Sequence, residues 1–164
     1  MNNDVSSNNY IFVSTDTESV EGAPVSAHEL VSFRLKHNLW PLYEKTRNRL
    51  SMRPGDNLLF YCGGNMKNSK RIIASAKIEK INISRNMAGF QEGKEFFTQT
   101  PHQLVKLEDI AVWKNPVILR EILPQLECCP KNMSKWGVIL HGGVRRISDA
   151  DYNTIQEFSH KIKN

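Results

Sequence analysis

Two apolar runs, DNLLFYC at 56–62 and RIIASAKIEKINI at 71–83, flank the polar loop GGNMKNSK. Both runs are rich in β-branched and aromatic residues, and the turn pair Pro54-Gly55 launches the first. Strands joined by so short a loop pair with each other as an antiparallel hairpin. A hairpin is only marginally stable alone, so the remaining chain must extend and cover it. The spacing predicts strands at 57–62 and 71–83, with Ile72, Ala74, Ala76 and Ile78 on one face. Phe60 and Tyr61 then point to opposite sides.

The segments around the hairpin follow from local chemistry. YIFVS at 10–14 reads as a first strand, and 16–25 as a loop punctuated by Gly22 and Pro24. Ser26 and Glu29 have capping-box spacing and open a helix with Leu30, Val31, Phe33 and Leu35 on its apolar side. That helix should end near His37–Asn38, ahead of Pro41. Residues 84–102 read as irregular and 103–113 as a strand. Asn115 is placed to cap a short helix with Pro116 at its first position and Val117, Leu119, Ile122 and Leu123 inside. Residues 136–148 read as a loop with short strand material. Ser148 and Asp151 cap a final helix whose buried stripe is Tyr152, Ile155, Phe158 and Ile162. Many strands and few helices exclude a doubly wound sheet. The class is α+β, a small curved barrel of about five to six strands flanked by about two to three helices. With 164 residues the chain reads as one domain, 10–162, after a polar lead, 1–9, expected to be disordered.

Several function classes find no support. No apolar run approaches the roughly 18 residues of a spanning helix, and the polar start lacks the pattern of a signal peptide. Cys62, Cys128 and Cys129 are an odd count with two adjacent, which suits free thiols in a reducing cytoplasm. His28, His37, His102, His141 and His160 show no metal-ligand spacing. Neither CGG at 62–64 nor HGG at 141–143 precedes the residues of a phosphate loop, and no Gly-x-Ser-x-Gly elbow accompanies them. Cys62 reads as a small buried residue rather than a nucleophile. No cofactor or metal is implied.

Charge is more informative. The formal net charge is +5, yet residues 1–33 hold five acids and no Lys or Arg, whereas 34–94 hold thirteen basic and four acidic residues. Segregation of this kind favours a polyanion, most often nucleic acid. Within the basic third, HNLWPLYEKTRNRL at 37–50 places Trp40 beside Pro41 and three residues before Tyr43. With a helix breaker after it, Trp40 reads as lying at a bend, where binding residues tend to sit. Burial in the core is its competing fate. Lys45, Arg47, Arg53, Lys67, Lys70 and Arg71 are candidates for phosphate contacts, with Arg49 as a structural alternative.

The ordered set of segments resembles the EVE and YTH branch of the PUA-like superfamily. The elements that carry it are YIFVS, HELVSFRLKHNLW, Asn48-Arg49-Leu50, PGDNLLFY, IIASAKI, LEDIAVWKNPV and the close GGVRRISDADYNTI. Together they cover the chain from Tyr10 to about Phe158. The resemblance implies a non-catalytic domain that binds a modified base, extruded into an aromatic cage. Trp40 would be the main wall, with Ser14 and the backbone of Leu39 and Pro41 near the base. Pro41 stands where YTH domains have a small polar residue, and it has no N–H to donate. The second wall is assigned to Phe90, with Phe96 and Phe97 behind it, or to Tyr43 or Tyr61. DNA is the favoured partner, because EVE-type domains look associated with recognising modified bases in bacterial defence, together with a separately encoded effector. The alternatives are a ribonuclease of the ASCH type on the same scaffold, and an RNA-binding module indifferent to modification.

Overall fold

A computed structural model describes residues 6–19, 21–82 and 101–161. Its strands are β1 (Asn9–Ser14), β2 (Thr17–Glu18), β3 (Pro24–Val25), β4 (Leu39–Leu42), β5 (Asn57–Cys62), β6 (Arg71–Asn82), β7 (Gln103–Ile118) and β8 (Val144–Ile147). Its α-helices are α1 (Ala27–Lys36), α2 (Leu119–Ile122) and α3 (Asp149–His160), with 3-10 segments at Leu123–Gln125 and Met133–Leu140. Six strands form one curled sheet in the order β4-β7-β6-β5-β1-β8, and β2 pairs with β3 as a separate ribbon. The fold is the expected small curved barrel, left partly open, with helices on both faces.

The hairpin lies at the centre as expected, with β5 and β6 antiparallel. β1 lies parallel to β5, and β8 returns antiparallel to β1. Strand alternation separates two cores. Tyr10, Phe12, Leu58, Phe60 and Cys62 face α1 and Trp40, whereas Ile11, Leu59 and Tyr61 face α2, α3 and the 3-10 segments. The predicted face of β6 needs one correction. The β5–β6 register slips so that Phe60 opposes Ala74 while Tyr61 opposes Ile72. The extra residue, Ile73, joins Ala74, Ala76 and Ile78 on the first face, and Ile72 is sent to the second.

Two further expectations change. Residues 115–118 continue β7 instead of opening a helix. Between the pairs Ile72–Val117 and Ala74–Val112 the β6–β7 register is broken, so Pro116 sits in a bulge that needs no ladder N–H there. Trp40 is likewise in a strand rather than at a bend after the helix. The chain turns two residues earlier, at Asn38, whose φ of 57° is a conformation Asn tolerates. β4 is an edge strand, which is where a sheet accommodates Pro41.

The helix starts agree with the sequence. Ser26 Oγ accepts from the Glu29 N–H at 3.1 Å, and the Glu29 carboxylate accepts from the Ser26 N–H at 3.3 Å. Ser148 Oγ accepts from the Asp151 N–H at 3.1 Å. The lead is held from Asn8, whose N–H donates to Asp56 Oδ1 at 3.0 Å, and β1 begins at Asn9. Residues 1–5 lie outside the described residues, as does Ile162. No helix among the described residues is long and apolar enough to cross a membrane.

Candidate nucleic-acid interface

On the α1 side of the sheet a cavity of about 320 Å³ opens where β1 ends. Val13, Ser14 and Thr15 bring it the end of β1, Leu30 and Arg34 one face of α1, and Trp40 and Pro41 the strand β4. Tyr43, Thr46, Thr17 and Gly143 close the remaining sides. Four residues singled out from sequence, Ser14, Trp40, Pro41 and Tyr43, therefore meet at one site. Leu39 precedes them in β4 but is not among the lining residues. Tyr61 belongs to the core on the opposite face of the sheet. Phe90, Phe96 and Phe97 lie outside the described residues.

Trp40 is 3% exposed and serves core and cavity together. Its ring packs at 5.4 Å from Phe12 and 5.2 Å from Phe60, between centroids. Over the same ring, at 4.5 Å from its centroid, lies the guanidinium carbon of Arg34. Cation and π face attract, more strongly when water is excluded. Arg34 is itself only 7% exposed. Burial pulls its pKa down from 12.5 to about 10, against a smaller opposing effect of Tyr43. The Tyr43 phenol is raised by its own burial and lowered by Arg34. Among the described residues, Nε of Arg34 has no hydrogen-bond partner.

The rim is held by specific contacts. Thr46 Oγ1 accepts from the Tyr43 N–H at 2.9 Å and fixes the turn after β4. The carbonyl of Gly142 accepts from the Arg47 N–H at 3.1 Å, and that of Gly143 from the Val13 N–H at 2.9 Å. Gly142 has φ +91°, and a Cβ there would strike the Arg47 stem. The HGG segment is therefore a close-packing element beside the cavity.

The basic candidates divide. Lys45, Arg47, Arg53, Lys67 and Lys70 are exposed, and Arg71 is half-buried at the start of β6. Arg49 is structural, donating through Nη1 to Gln103 Oε1 at 3.0 Å. Among the described residues no cluster of His, Cys, Asp and Glu could hold a metal ion.

Sequence reasoning missed Arg34, Leu30, Thr17, Thr46 and Gly143. Arg34 carried a signal, because it lies three and four residues after Val31 and Leu30, inside the apolar stripe of α1. A cation in such a stripe is buried against something that tolerates charge.

The family model of the EVE domain matches residues 25–158, which include α1 and β4 but not the end of β1 that also lines the cavity. The chain belongs to the EVE domain family. No curated protein matches its sequence. Among solved structures, human THYN1 in complex with DNA containing 5-methylcytosine aligns with a TM-score of 0.62 at 14% identity, covering 96% of this chain and 100% of that one. The YTH domain of Zygosaccharomyces rouxii MRB1, in complex with N6-methyladenosine RNA, gives 0.58 at 14% identity over 98% and 91%. An ASCH protein from Zymomonas mobilis gives 0.55 at 12% identity over 94% and 98%. At such identities these likenesses speak for the fold of this EVE domain.

Proposed function

We propose that this EVE domain reads a modified base in nucleic acid, with DNA as the preferred partner, by taking the extruded base into the cavity between Arg34, Trp40 and Tyr43. The observation that carries the reading is the convergence of Ser14, Trp40, Pro41 and Tyr43 on one cavity of about 320 Å³. Its setting on a fold shared with a 5-methylcytosine DNA complex and an N6-methyladenosine RNA complex supports it. Bases stack on aromatic rings, and stacking contributes about 1–3 kcal/mol per base. Tyr43 offers an aromatic ring for stacking, and Trp40 holds the Arg34 guanidinium at the cavity. Ser14 brings a hydroxyl for the base edge. The domain acts by binding, without a chemical step of its own, and passes the signal to a separate effector.

The test is a tryptophan-fluorescence titration with matched DNA and RNA strands carrying cytosine, 5-methylcytosine, 5-hydroxymethylcytosine, adenine or N6-methyladenine. One modified DNA strand is expected to bind tightest. Tyr43→Ala and the cavity-filling Thr17→Trp should both abolish that preference. Equal affinity for modified and plain strands, or binding that survives a filled cavity, would overturn the proposal. Cleavage of RNA by the purified domain would favour a catalytic role instead.

A further inference from the structure

From its buried Nε, which has no partner among the described residues, and its place in the cavity lining, we infer that Arg34 sets base identity in the cavity, admitting bases that present two adjacent hydrogen-bond acceptors on one edge and rejecting adenine and its N6-methyl form. This inference rests on the reading of the cavity as a base site. Arg34 lines that cavity, is more than nine-tenths buried, and has an Nε with no hydrogen-bond partner among the described residues. A buried polar group left unpaired is costly, and a buried charge more so. The attraction to Trp40 offsets part of that cost but does not satisfy the Nε–H, since a π face beneath the guanidinium accepts nothing from a donor that lies in the guanidinium plane. Three other arginines, Arg49, Arg71 and Arg145, also have an unpaired buried Nε, yet none of them lines the cavity. Arg49 spends another of its donors on Gln103.

The chemistry of a guanidinium narrows the ligand. It is donor-only, planar and forked, so it matches two acceptors side by side. Guanine presents O6 and N7 as such a pair, the commonest specific arginine contact in nucleic acids. Cytosine presents N3 and O2 on its pairing edge, with its C5 position turned away from that edge. Adenine has no such edge, because its N1 and N7 are each flanked by the N6 amino donor, and a donor facing a buried cation is repelled. Methylation at N6 leaves that donor in place. A substituent at C5 of cytosine leaves the acceptor pair untouched and free to be sensed elsewhere in the cavity.

Single strands of thymine with one central cytosine, 5-methylcytosine, guanine, adenine or N6-methyladenine provide the test, read by fluorescence anisotropy. They would be titrated with the parent protein, Arg34→Met, Arg34→Lys and the cavity-filling Thr17→Trp. The parent should bind a cytosine-type or guanine strand about tenfold or more tightly than both adenine strands, and the two arms tell cytosine from guanine. Arg34→Met should bring all strands within about twofold of one another, and Arg34→Lys, which keeps the charge without the fork, should recover little. The melting temperature of Arg34→Met should equal or exceed that of the parent, because an unpaired buried charge has gone; a merely structural arginine would instead leave a less stable protein. Preference for adenine, or a preference that survives Arg34→Met, overturns the inference while leaving the base site standing if Thr17→Trp still abolishes binding. No binding to any strand, or binding indifferent to the filled cavity, overturns both.

Discussion

Asp16 accepts three backbone hydrogen bonds at once, from Asn65 at 2.8 Å, Ala27 at 2.9 Å and Met66 at 3.3 Å. One carboxylate thereby joins the first residue of α1 to the loop between β5 and β6, beside the cavity. The bond from Asn65, followed by that from Ala27, holds its pKa below the usual 3.8, with burial opposing. The sign is that of a depressed acid: its contribution to stability is present above 3.8 and is lost as pH falls through the lower folded-state value. Urea unfolding followed from pH 6 to pH 2 should show that loss in the parent and a shallower one in Asp16→Ala. A pH dependence identical in both proteins would refute the assignment. Gly64 stands against the same carboxylate. With φ +79° and no room for a Cβ, Gly64→Ala is expected to destabilise the fold by about 1–3 kcal/mol, measurable by thermal melting. Cys62 is fully buried, and burial pushes its thiol from 9.0 up to about 12. Iodoacetamide at pH 8 should leave Cys62 unmodified in the native protein and label it in urea, as read by peptide mass mapping. Rapid native labelling would mean that β5 opens readily at this end.

One side chain of helix α3 ties it to residues 127 and 128. Asp151, 2% exposed, accepts from the Glu127 N–H at 2.7 Å and the Cys128 N–H at 2.9 Å. Asp151→Ala should leave both donors unpaired and destabilise the domain by about 2–4 kcal/mol, while oligonucleotide affinity per folded molecule stays unchanged. Coupled loss of affinity in folded protein would show that the second core communicates with the cavity. That clamp was legible only as a cap, because nothing in local sequence spacing tells Asp151 to reach residues 127 and 128. The same boundary runs through the whole fold. Capping boxes, the central hairpin and α3 depend on neighbours within a few positions, and the sequence pattern predicts them correctly. The bulge at Ile73, the extension of β7 through Pro116 and the strand character of Trp40 depend on strand pairing between distant segments. Trp40 lies in β4 because it pairs with Val105, sixty-five positions away in the chain. At the cavity, Trp40, Tyr43 and Ser14 were legible from residue type and family likeness. Arg34 showed only in its place within the apolar stripe of α1, a signal easily passed over because a charged residue on a helix ordinarily faces water.

Several exposed basic side chains sit on segments next to the candidate site in the chain or tied to it by hydrogen bonds. Lys45 and Arg47 follow the cavity residue Tyr43, and Lys67 and Lys70 belong to the loop that Asp16 ties to α1. Phosphate contacts made by such residues release counterions, whatever base is being read. Affinity for duplex or single-stranded DNA should therefore fall linearly on a logarithmic salt axis. Lys45→Ala and Lys67→Ala should each flatten that line by about one unit of slope and weaken all strands equally, leaving the ratio between modified and plain strands intact. Arg47 calls for a different substitution, because its stem packs on Gly142; Arg47→Met keeps the packing and removes the charge. Isothermal titrations at three salt concentrations distinguish the two roles. A slope unchanged by all three substitutions would place the phosphates elsewhere on the surface. A changed modified-to-plain ratio would bring these side chains into base recognition, alongside Arg34 rather than around it.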